Sequence, residues 1–466
     1  MEKFIKRTKI VCTIGPASWD RNILEKMVEN GMNVARINGA FADIPELERV
    51  AKLIRSVSKS VALMLDIKGH EVRLNKFDKA IEIKVKDEVI IGNSSTDNLY
   101  PITYPDLYKD IKSGQVLLID KGEVKLIVKE IKDKKIFCEV VSGSKIESGK
   151  GVNIPGANLN NPAVTERDIE QIKFACDDGW DFIAGSFIRN IEDINMIKSY
   201  ITNKNLRLIS KIEDQQGVDN LEDILRECDG IMIARGDMGS EIPIEKLPII
   251  QKMMILACNM AAKPVITATN MMESMTEKPF PTRAEVTDVA NAILDGTDCV
   301  MTSGETSSGK YPAESIEMMS KIAVEQEKYL FPRIVEDKYF NQRKIAVSVS
   351  NASFELAKGL NVDVIVIFSP NDTLARLIAR LALHTKIIAL VDNPYKMRQL
   401  SLTKGVTAYE YDKLFNDRDE VITAIKKFLF SEKIVDKNSR ILIVGKYKEQ
   451  SPNLCRFTNI LEFVET

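Results

Sequence analysis

The chain has 466 residues, of which 44% are apolar and 28% charged, a composition typical of a folded globular protein. Its formal net charge of -2 gives no reason to expect a nucleic acid or an anionic membrane surface as a partner. No apolar run approaches the roughly 20 residues of a membrane span, and the first residues lack the apolar core of a signal peptide. The seven cysteines are scattered without a C-x-x-C pair, and the two histidines argue against a histidine-based metal site or triad, so we expect a cytoplasmic protein with reduced, buried thiols.

Short apolar runs recur along the first two thirds of the chain, and stretches with helical spacing of apolar residues separate them. The runs are KIVCTIG (9–15), MNVARIN (32–38), VALMLDI (61–67), FIAGSFI (182–188), LRLISKIE (206–213), GIMIARGD (230–237), PVITATN (264–270) and CVMTSGET (299–306). Alternating strands and helices indicate a parallel sheet, and eight runs are the number that a (β/α)8 TIM barrel requires. An open doubly wound sheet is the alternative.

One gap interrupts this alternation after the third run. Between residues 71 and 151 the helical spacing gives way to short alternating segments, IEIKVKDEVIIG, QVLLID, EVKLIVKEI and KKIFCEVV. We therefore predict an inserted all-β lid domain, a small β-barrel, at 71–153, which divides the TIM-barrel catalytic domain into 1–70 and 154–335. Because the insertion follows a barrel strand, it lies over the face that carries active sites in such barrels.

The last part of the chain is predicted to be a C-terminal α/β domain, residues 336–466. Four apolar runs, KIAVSVS, VDVIVIFS, KIIALVD and RILIVGK, are interpreted as its strands, with helical stretches such as NASFELAKGL between them.

Polar residues follow the predicted barrel strands, where catalytic groups of such barrels collect. They are Arg36, Asn38, Asp66, Ser186, Lys211, Glu213, Arg235, Asp237, Thr269 and Glu305. Glu213 and Asp237 suit Mg²⁺, which takes one or two carboxylates together with substrate oxygens. Lys211 lies two residues before Glu213 and shares its face of the strand, so its ammonium would stabilise charge on a transferred phosphoryl group or an enolate. Any one of these residues alone is more often a solvated or salt-bridged strand end, but their number on one rim favours a site.

Several long motifs are distributed from end to end of the chain. They are RTKIVCTIGPAS, MNVARIN, LDIKG, GVNIPG, ISKIED, IMIARGDMGSEIP, KPVITATNMMESM, PTRAEVTDVANAILDGTDCVM and SGETSSGKYP. Together they closely resemble the motifs of pyruvate kinases. The resemblance implies a TIM barrel with a β lid and a C-terminal α/β domain, usually assembled as a homotetramer. It also implies transfer of the phosphoryl group of phosphoenolpyruvate to ADP, which gives pyruvate and ATP in the last step of glycolysis.

The resemblance also implies roles for matching positions. Glu213 and Asp237 match the Mg²⁺ (or Mn²⁺) ligands, and Lys211 matches the residue that neutralises the phosphoryl group in flight and the enolate. Arg36 and Arg73 match phosphate-binding arginines. The backbone around Ala234, Gly236 and Asp237 would hold the substrate carboxylate, Thr269 would lie near the enolate carbon during proton delivery, and Asn38 and Asp66 match K⁺ ligands.

The chain departs from the family pattern near this K⁺ site. Where the family reads R-x-N-F-S-H-G, this chain has Ala40 and Phe41 in place of the serine and histidine, and Ile67 replaces a threonine. Two hydroxyl ligands are thereby lost, and we expect weak or absent K⁺ dependence. The alternative is that backbone carbonyls, including that of Ile67, and Asp66 still hold K⁺, and Glu71 is retained where K⁺-independent members often carry lysine. His70 and Lys121 are further departures, which are expected to affect a hinge or surface position and lid closure.

Two other functions stay open from the residues. One is a catalytically weakened paralogue that serves as a binding or regulatory subunit, for which the NGAF segment is the only support. The other is a barrel that performs carbon–carbon chemistry on the same enolate. Retention of Lys211, Glu213, Asp237 and Thr269 argues against the first, and the lid against the second. Asp372 would repel a sugar phosphate in the C-terminal domain, so we expect no strong activation by a sugar bisphosphate.

Overall fold

The computed structural model describes residues 6–465 except 70, 78–79, 94–98, 333, 337–342, 369–371, 412–417 and 452–453. At residues 121, 418–419, 421, 446–451, 454–460 and 465 only the backbone is described.

The elements follow one another along the chain in four groups. The first group is β1 (Lys9–Thr13), α1 (Arg21–Glu29), β2 (Val34–Asn38), α2 (Ile44–Val57) and β3 (Ala62–Ile67). The second is β4 (Ile81–Glu82), β5 (Glu88–Gly92), β6 (Leu99–Pro101), α3 (Leu107–Asp110), β7 (Val116–Ile119), β8 (Val124–Lys132), β9 (Lys135–Ser142), β10 (Lys145–Ile146) and β11 (Val152–Asn153). The third is α4 (Glu166–Asp177), β12 (Phe182–Gly185), α5 (Ile191–Tyr200), β13 (Arg207–Ile212), α6 (Gln215–Asp219), α7 (Leu221–Glu227), β14 (Gly230–Ala234), α8 (Arg235–Glu241), α9 (Leu247–Ala261), β15 (Val265–Ala268), α10 (Arg283–Asp295), β16 (Cys299–Thr302), α11 (Gly304–Ser307) and α12 (Pro312–Glu327). The fourth is α13 (Lys344–Gly359), β17 (Val364–Phe368), α14 (Thr373–Ala379), β18 (Lys386–Val391), α15 (Pro394–Gln399), β19 (Val406–Glu410), α16 (Arg418–Ser431), β20 (Arg440–Ser451) and β21 (Leu454–Glu465).

The first and third groups form a closed barrel of eight parallel strands in the order β1-β16-β15-β14-β13-β12-β3-β2. The predicted TIM barrel is confirmed, and each of the eight apolar runs supplies one strand. Because β3 and β12 are neighbours despite the insertion between them, Asp66 lies beside Ala184 in register. This pairing brings the ends of strands from both halves of the chain to one rim.

Alternating side chains of the strands fill the barrel interior, and the others pack against the surrounding helices. The interior cluster includes Val11, Met64, Phe182, Met232 and Met301. Leu402, from the C-terminal part of the chain, belongs to the same cluster and is fully buried. The backbone carbonyl of Leu402 also accepts a hydrogen bond from Cys299 Sγ at 3.4 Å. The C-terminal part therefore closes the end of the barrel that carries the starts of the strands, opposite the strand tips.

The inserted segment is built mainly from strands around its own apolar cluster. Strands β11-β7-β8-β9-β5-β6 form one sheet, and β10-β4 form a separate two-stranded sheet. The two chain crossings into this lid are hydrogen-bonded to each other, from Val152 N to Val72 O at 2.8 Å and from Leu74 N to Lys150 O at 2.9 Å. The lid is thus joined to the barrel by a two-stranded ribbon.

The C-terminal sheet has the order β19-β18-β17-β20-β21, in which only the pair β20 and β21 is antiparallel among the described strands. The interpretation of KIAVSVS as a strand is wrong, because these residues form the first half of α13. The buried positions Ser350, Ser353, Phe354 and Ala357 recur at helical spacing, which a seven-residue window is too short to reveal.

Among the described residues, no helix is both long enough and apolar enough to cross a membrane. Six of the cysteines, Cys12, Cys138, Cys176, Cys228, Cys258 and Cys299, are buried and free.

Candidate active site

Three charged side chains from three strands meet at the rim of the barrel. Arg36 Nε lies 2.6 Å from Asp66 Oδ2, and Lys211 Nζ lies 3.0 Å from Asp66 Oδ1. All three are buried. Burial alone would raise the pKa of Asp66, but Arg36 and Lys211 outweigh it and hold that pKa below its ordinary value. Asp66 is therefore a fixed negative charge between two cations.

Two hydroxyl groups complete this network. Lys211 Nζ donates to Ser186 Oγ at 2.6 Å, and Ser186 Oγ donates to the carbonyl of Ile67 at 2.7 Å. Arg36 Nη1 donates to Thr13 Oγ1 at 2.7 Å. Ser186 was noted in the sequence only as a polar strand end, and Thr13 was missed. The signal for Thr13 was its place at the end of the strand beside Arg36, since the two residues are in register.

Glu213 lies next to Lys211 with its carboxylate almost fully buried. One oxygen is 3.1 Å from Lys211 Nζ, and the other accepts a hydrogen bond from Phe187 N at 2.7 Å. Burial, with the negative charges of Asp237 and Asp66, outweighs Lys211 and raises the pKa of Glu213 to about 8. For Lys211, burial lowers the pKa, but Asp66 and Glu213 raise it above its ordinary value overall. Lys211 therefore keeps its proton at neutral pH.

The ends of β14 and β15 are tied together by Thr269 and Arg235. Gly236 N donates to Thr269 Oγ1 at 2.7 Å, and Thr269 Oγ1 donates to Ala268 O at 2.6 Å. Arg235 Nη2 donates to Thr269 O at 2.6 Å, while its Nη1 is 2.6 Å from Asp288 Oδ1 on α10. An added side chain at Gly236 would come within 3.3 Å of Thr269 Oγ1, so the backbone here packs close to the threonine hydroxyl.

The residues that follow β2 are joined by hydrogen bonds to one another and to the end of β3. Asn38 Oδ1 accepts from Ala40 N at 3.1 Å, and Asp66 O accepts from Gly39 N at 2.8 Å. Phe41, which stands where the family pattern has a histidine, is 85% exposed.

Several predicted residues lie apart from this network. Arg73 is in the lid ribbon, with Nε 2.6 Å from Glu71 and Nη1 donating to Gly149 O at 2.8 Å. The carboxylate of Glu305 accepts hydrogen bonds from the backbone N–H groups of Met272 and Ser303, at 3.0 and 2.7 Å. Glu305 therefore supports the local backbone. His70 and the side chain of Lys121 lie outside the described residues. Asp372 forms an ion pair with Arg376.

Three non-glycine residues at the strand ends have left-handed backbone conformations. Their φ angles are +53° at Phe187, +65° at Thr269 and +53° at Asn270. Such angles are uncommon for residues with a side chain and are enriched at functional sites. At Phe187 the conformation accompanies the hydrogen bond from its N–H to Glu213.

The donor set fits a hard divalent cation that keeps open coordination positions. Glu213 presents a carboxylate near the half-buried Asp237, whose negative charge contributes to the raised pKa of Glu213. In the described part of the chain no group of three or more His, Cys, Asp or Glu side chains forms a complete metal cage. Two carboxylates with space for water or substrate oxygens are the arrangement that Mg²⁺ prefers.

Comparisons with known proteins agree with this geometry. The family model described as the pyruvate kinase barrel domain matches residues 5–316, and that of the pyruvate kinase alpha/beta domain matches residues 347–461. The chain belongs to the pyruvate kinase family. It is 42% identical to the pyruvate kinase of Staphylococcus saprophyticus over 86% of this chain and 71% of that protein. It is 37% identical to the pyruvate kinase of Dictyostelium discoideum over 99% of this chain and 95% of that protein.

A crystal structure of a pyruvate kinase from Cryptosporidium parvum aligns with a TM-score of 0.90 and 32% identity, covering 98% of this chain and 96% of that one. The chain is thus a phosphotransferase with pyruvate kinase function, and the family implies a divalent cation as cofactor and phosphoenolpyruvate and ADP as substrates. This favours the kinase over the lyase and the binding-subunit alternatives.

Proposed function

We propose that the strand tips around Lys211 transfer the phosphoryl group of phosphoenolpyruvate to ADP, giving pyruvate and ATP, with Mg²⁺ or Mn²⁺ held by Glu213 and Asp237. The observation that carries this proposal is the buried ammonium of Lys211, held between Asp66 and Glu213 at 3.0 and 3.1 Å. Because its pKa is raised, Lys211 remains a fixed positive charge and does not act as a base. Such a charge stabilises a phosphoryl group in flight and the enolate that it leaves.

A divalent cation held by Glu213 and Asp237 would supply further positive charge to the phosphate oxygens. Arg36 on β2, which is held by Asp66 and Thr13, would also bind the phosphoryl group. Arg73 now contacts Glu71 and Gly149 and would have to leave these partners to reach the site. We assign Arg73 to the phosphates that meet the lid when both substrates are bound.

The substrate carboxylate would bind the backbone of Ala234, Gly236 and Asp237. In the structure, Gly236 N–H is engaged by Thr269 Oγ1 at 2.7 Å. A carboxylate that accepts this N–H displaces the threonine hydroxyl, which is then free to face the enolate carbon. Binding of the substrate and placement of the Thr269 hydroxyl for proton delivery are thereby coupled.

The test is turnover of phosphoenolpyruvate and ADP with Mg²⁺, followed as pyruvate release. We expect wild-type turnover, a loss of roughly 1,000-fold or more in kcat for Lys211→Met, and a raised Mg²⁺ requirement for Asp237→Asn, in line with the loss of a preorganised charge. Lys204→Met, at an exposed position before β13, is the matched control and should behave as wild type. Wild-type protein that binds Mg²⁺ but releases no pyruvate would favour the binding-subunit alternative.

K⁺ dependence is proposed to be weak or absent. The oxygens that would hold K⁺ already accept hydrogen bonds or ion pairs: Asn38 Oδ1 from Ala40 N, Asp66 from Arg36 and Lys211, and Ile67 O from Ser186. We expect equal rates in K⁺ and in tetramethylammonium. The double variant Ala40→Ser, Ile67→Thr restores two hydroxyls and should introduce activation by K⁺. Strong K⁺ activation of the wild type would contradict the proposal.

A homotetramer is proposed from an exposed apolar face on α9. Ile249, Met253 and Leu256 recur at helical spacing there and are 56%, 60% and 47% exposed. Apolar stripes of this kind mark association surfaces, and a second copy of the chain would bury this one. Light scattering should report a tetramer for the wild type and a smaller species for Met253→Glu. Met196→Glu, on α5, provides a matched exposed-methionine control that should leave the mass unchanged.

The cytoplasm is proposed as the location, because the described cysteines are free and buried and glycolytic substrates are found there. Fractionation of cells with an antibody against the chain would test this, and recovery with membranes would contradict it.

A further inference from the structure

Helix α8 is attached to the lid by its last residue. Glu241 Oε1 accepts a hydrogen bond from Asn153 Nδ2 at 2.7 Å, and the carboxylate also accepts one from the backbone N–H of Ile154. Asn153 ends β11, the strand that returns from the lid to the barrel. One carboxylate of the barrel therefore holds two consecutive residues of the returning strand.

This attachment extends to the whole lid through the ribbon. Val152 N donates to Val72 O at 2.8 Å, so the returning crossing is bonded to the outgoing one. Asp120 N donates to Gly151 O at 3.0 Å, and Asp120 Oδ2 lies 2.7 Å from Lys150 Nζ. A movement of the strand at Asn153 therefore carries both crossings and the turn at Asp120 with it.

The space beside the attachment is open. A cavity of about 370 Å³ lies between the lid ribbon and the barrel, lined by residues of both, including Val72, Ile154, Phe187, Asp214 and Glu241. Solid packing does not fill this junction, so the lid has room to move there. The two hydrogen bonds of Glu241 are thus placed to decide the position of the lid.

The same helix carries a proposed metal ligand in its first turn. Asp237 and Glu241 are four residues apart on α8, about 6 Å along a helix that is one rigid element. The residue that contacts the lid and the residue proposed to hold the metal therefore belong to one short helix. Two carboxylates lie near that of Glu241, those of Asp214 and Asp237, while Asn153 and Ile154 contact it from the lid.

We propose that Glu241 is a positioning residue that holds the lid over the strand tips through Asn153 and Ile154, and so sets the fraction of enzyme whose lid is in place for catalysis. This inference rests on the proposed function of the strand tips. For a ligand that binds only the lid-closed form, the apparent affinity falls in proportion to the fraction of enzyme whose lid is closed. Loss of the attachment should therefore raise KM and leave kcat at saturation nearly unchanged.

Glu241→Ala and Asn153→Ala test the attachment from its two sides. For each we expect the KM for ADP to rise about 10-fold while kcat stays within about twofold of wild type. Hydrogen exchange of the backbone amides at 150–156 should become about 10-fold faster, because these residues lose their anchor. Glu241→Gln keeps one carbonyl acceptor and should recover most of the wild-type KM.

Glu245→Gln is the matched control, since Glu245 is exposed and lies in a short 3₁₀ helix (Ile244–Lys246) just after α8. It should behave as wild type. If kcat and Mg²⁺ affinity fall in Glu241→Ala with KM unchanged, Glu241 acts through the fold of α8 and the proposal is overturned. Unchanged KM and unchanged exchange in Asn153→Ala, which leaves α8 intact, would overturn it as well. Absence of turnover in the wild type is a failure of the proposed function instead, and the exchange measurement still decides whether the attachment holds the lid.

Discussion

Replacement of Ser186 by alanine tests the support of Lys211 without touching a charge. The hydroxyl accepts from Lys211 Nζ at 2.6 Å and donates to Ile67 O at 2.7 Å, in a side chain that is 3% exposed. Its removal loses a hydrogen bond to a charged group, about 1.5–3 kcal/mol, and leaves a buried carbonyl without that donor, about 1–3 kcal/mol. Asp66 and Glu213 still hold the ammonium, so we expect a net loss of about 2–4 kcal/mol of stability.

The effect on catalysis follows from the position of the Lys211 ammonium. With one of its three partners absent, Lys211 has more freedom at the rim, and a displacement of about 1 Å of a catalytic group costs about 100-fold. We expect Ser186→Ala to lower kcat by about 10- to 100-fold in an assay of pyruvate release at saturating substrates. Urea unfolding followed by circular dichroism gives the stability change.

Ser210→Ala is the matched control for this experiment. Ser210 precedes Lys211 on β13 and is equally buried, but alternation along the strand directs its side chain away from the barrel interior. It should keep the wild-type kcat. The reasoning is refuted if Ser186→Ala retains kcat within about twofold of wild type while Lys211→Met is inactive.

Three further outcomes are expected. Because the pKa of Glu213 is raised to about 8, protons compete with the metal for its carboxylate below that pH. The Mg²⁺ affinity measured by calorimetry should therefore rise with pH up to about 8 and level off above it. Equal affinities at about pH 6 and pH 8 would contradict this. Asp288→Asn removes the charge 2.6 Å from Arg235 and should lower kcat/KM about 10-fold, and a wild-type value would show that Arg235 needs no such partner. Leu402→Ala empties part of the closed barrel end and should destabilise the protein by about 2–5 kcal/mol with KM unchanged, as measured by urea unfolding and kinetics.

The barrel could be predicted because each strand leaves a local pattern. Eight apolar runs gave eight strands, and the two-residue spacing of Lys211 and Glu213 places both on one side of β13, within 3.1 Å of each other. The helix at KIAVSVS could not be predicted from seven residues, because so short a run is compatible with either the strand or the helix period.

The contacts between side chains inside the site could not be predicted from the sequence, for a different reason. Ser186 meets Lys211 and Asp66 because β12 lies between β13 and β3, an order fixed by barrel closure and not by any local pattern. The pair of Arg235 with Asp288 joins residues 53 positions apart, on a strand end and a helix. Such contacts depend on the whole fold, so motifs identified the residues but not which of them support one another.

The left-handed backbone at Phe187, Thr269 and Asn270 limits how far the thermal stability of this protein can be raised without loss of activity. Each residue adopts a conformation that costs about 1–2 kcal/mol relative to glycine, and a screen for thermal resistance that samples glycine at these positions would relieve that cost. Glycine at Phe187 would also loosen the N–H that faces Glu213, and at Thr269 it would remove the hydroxyl that Gly236 contacts. The gain in melting temperature would therefore come from the same residues that position the catalytic groups. Variants selected for thermal stability alone should have a lower kcat.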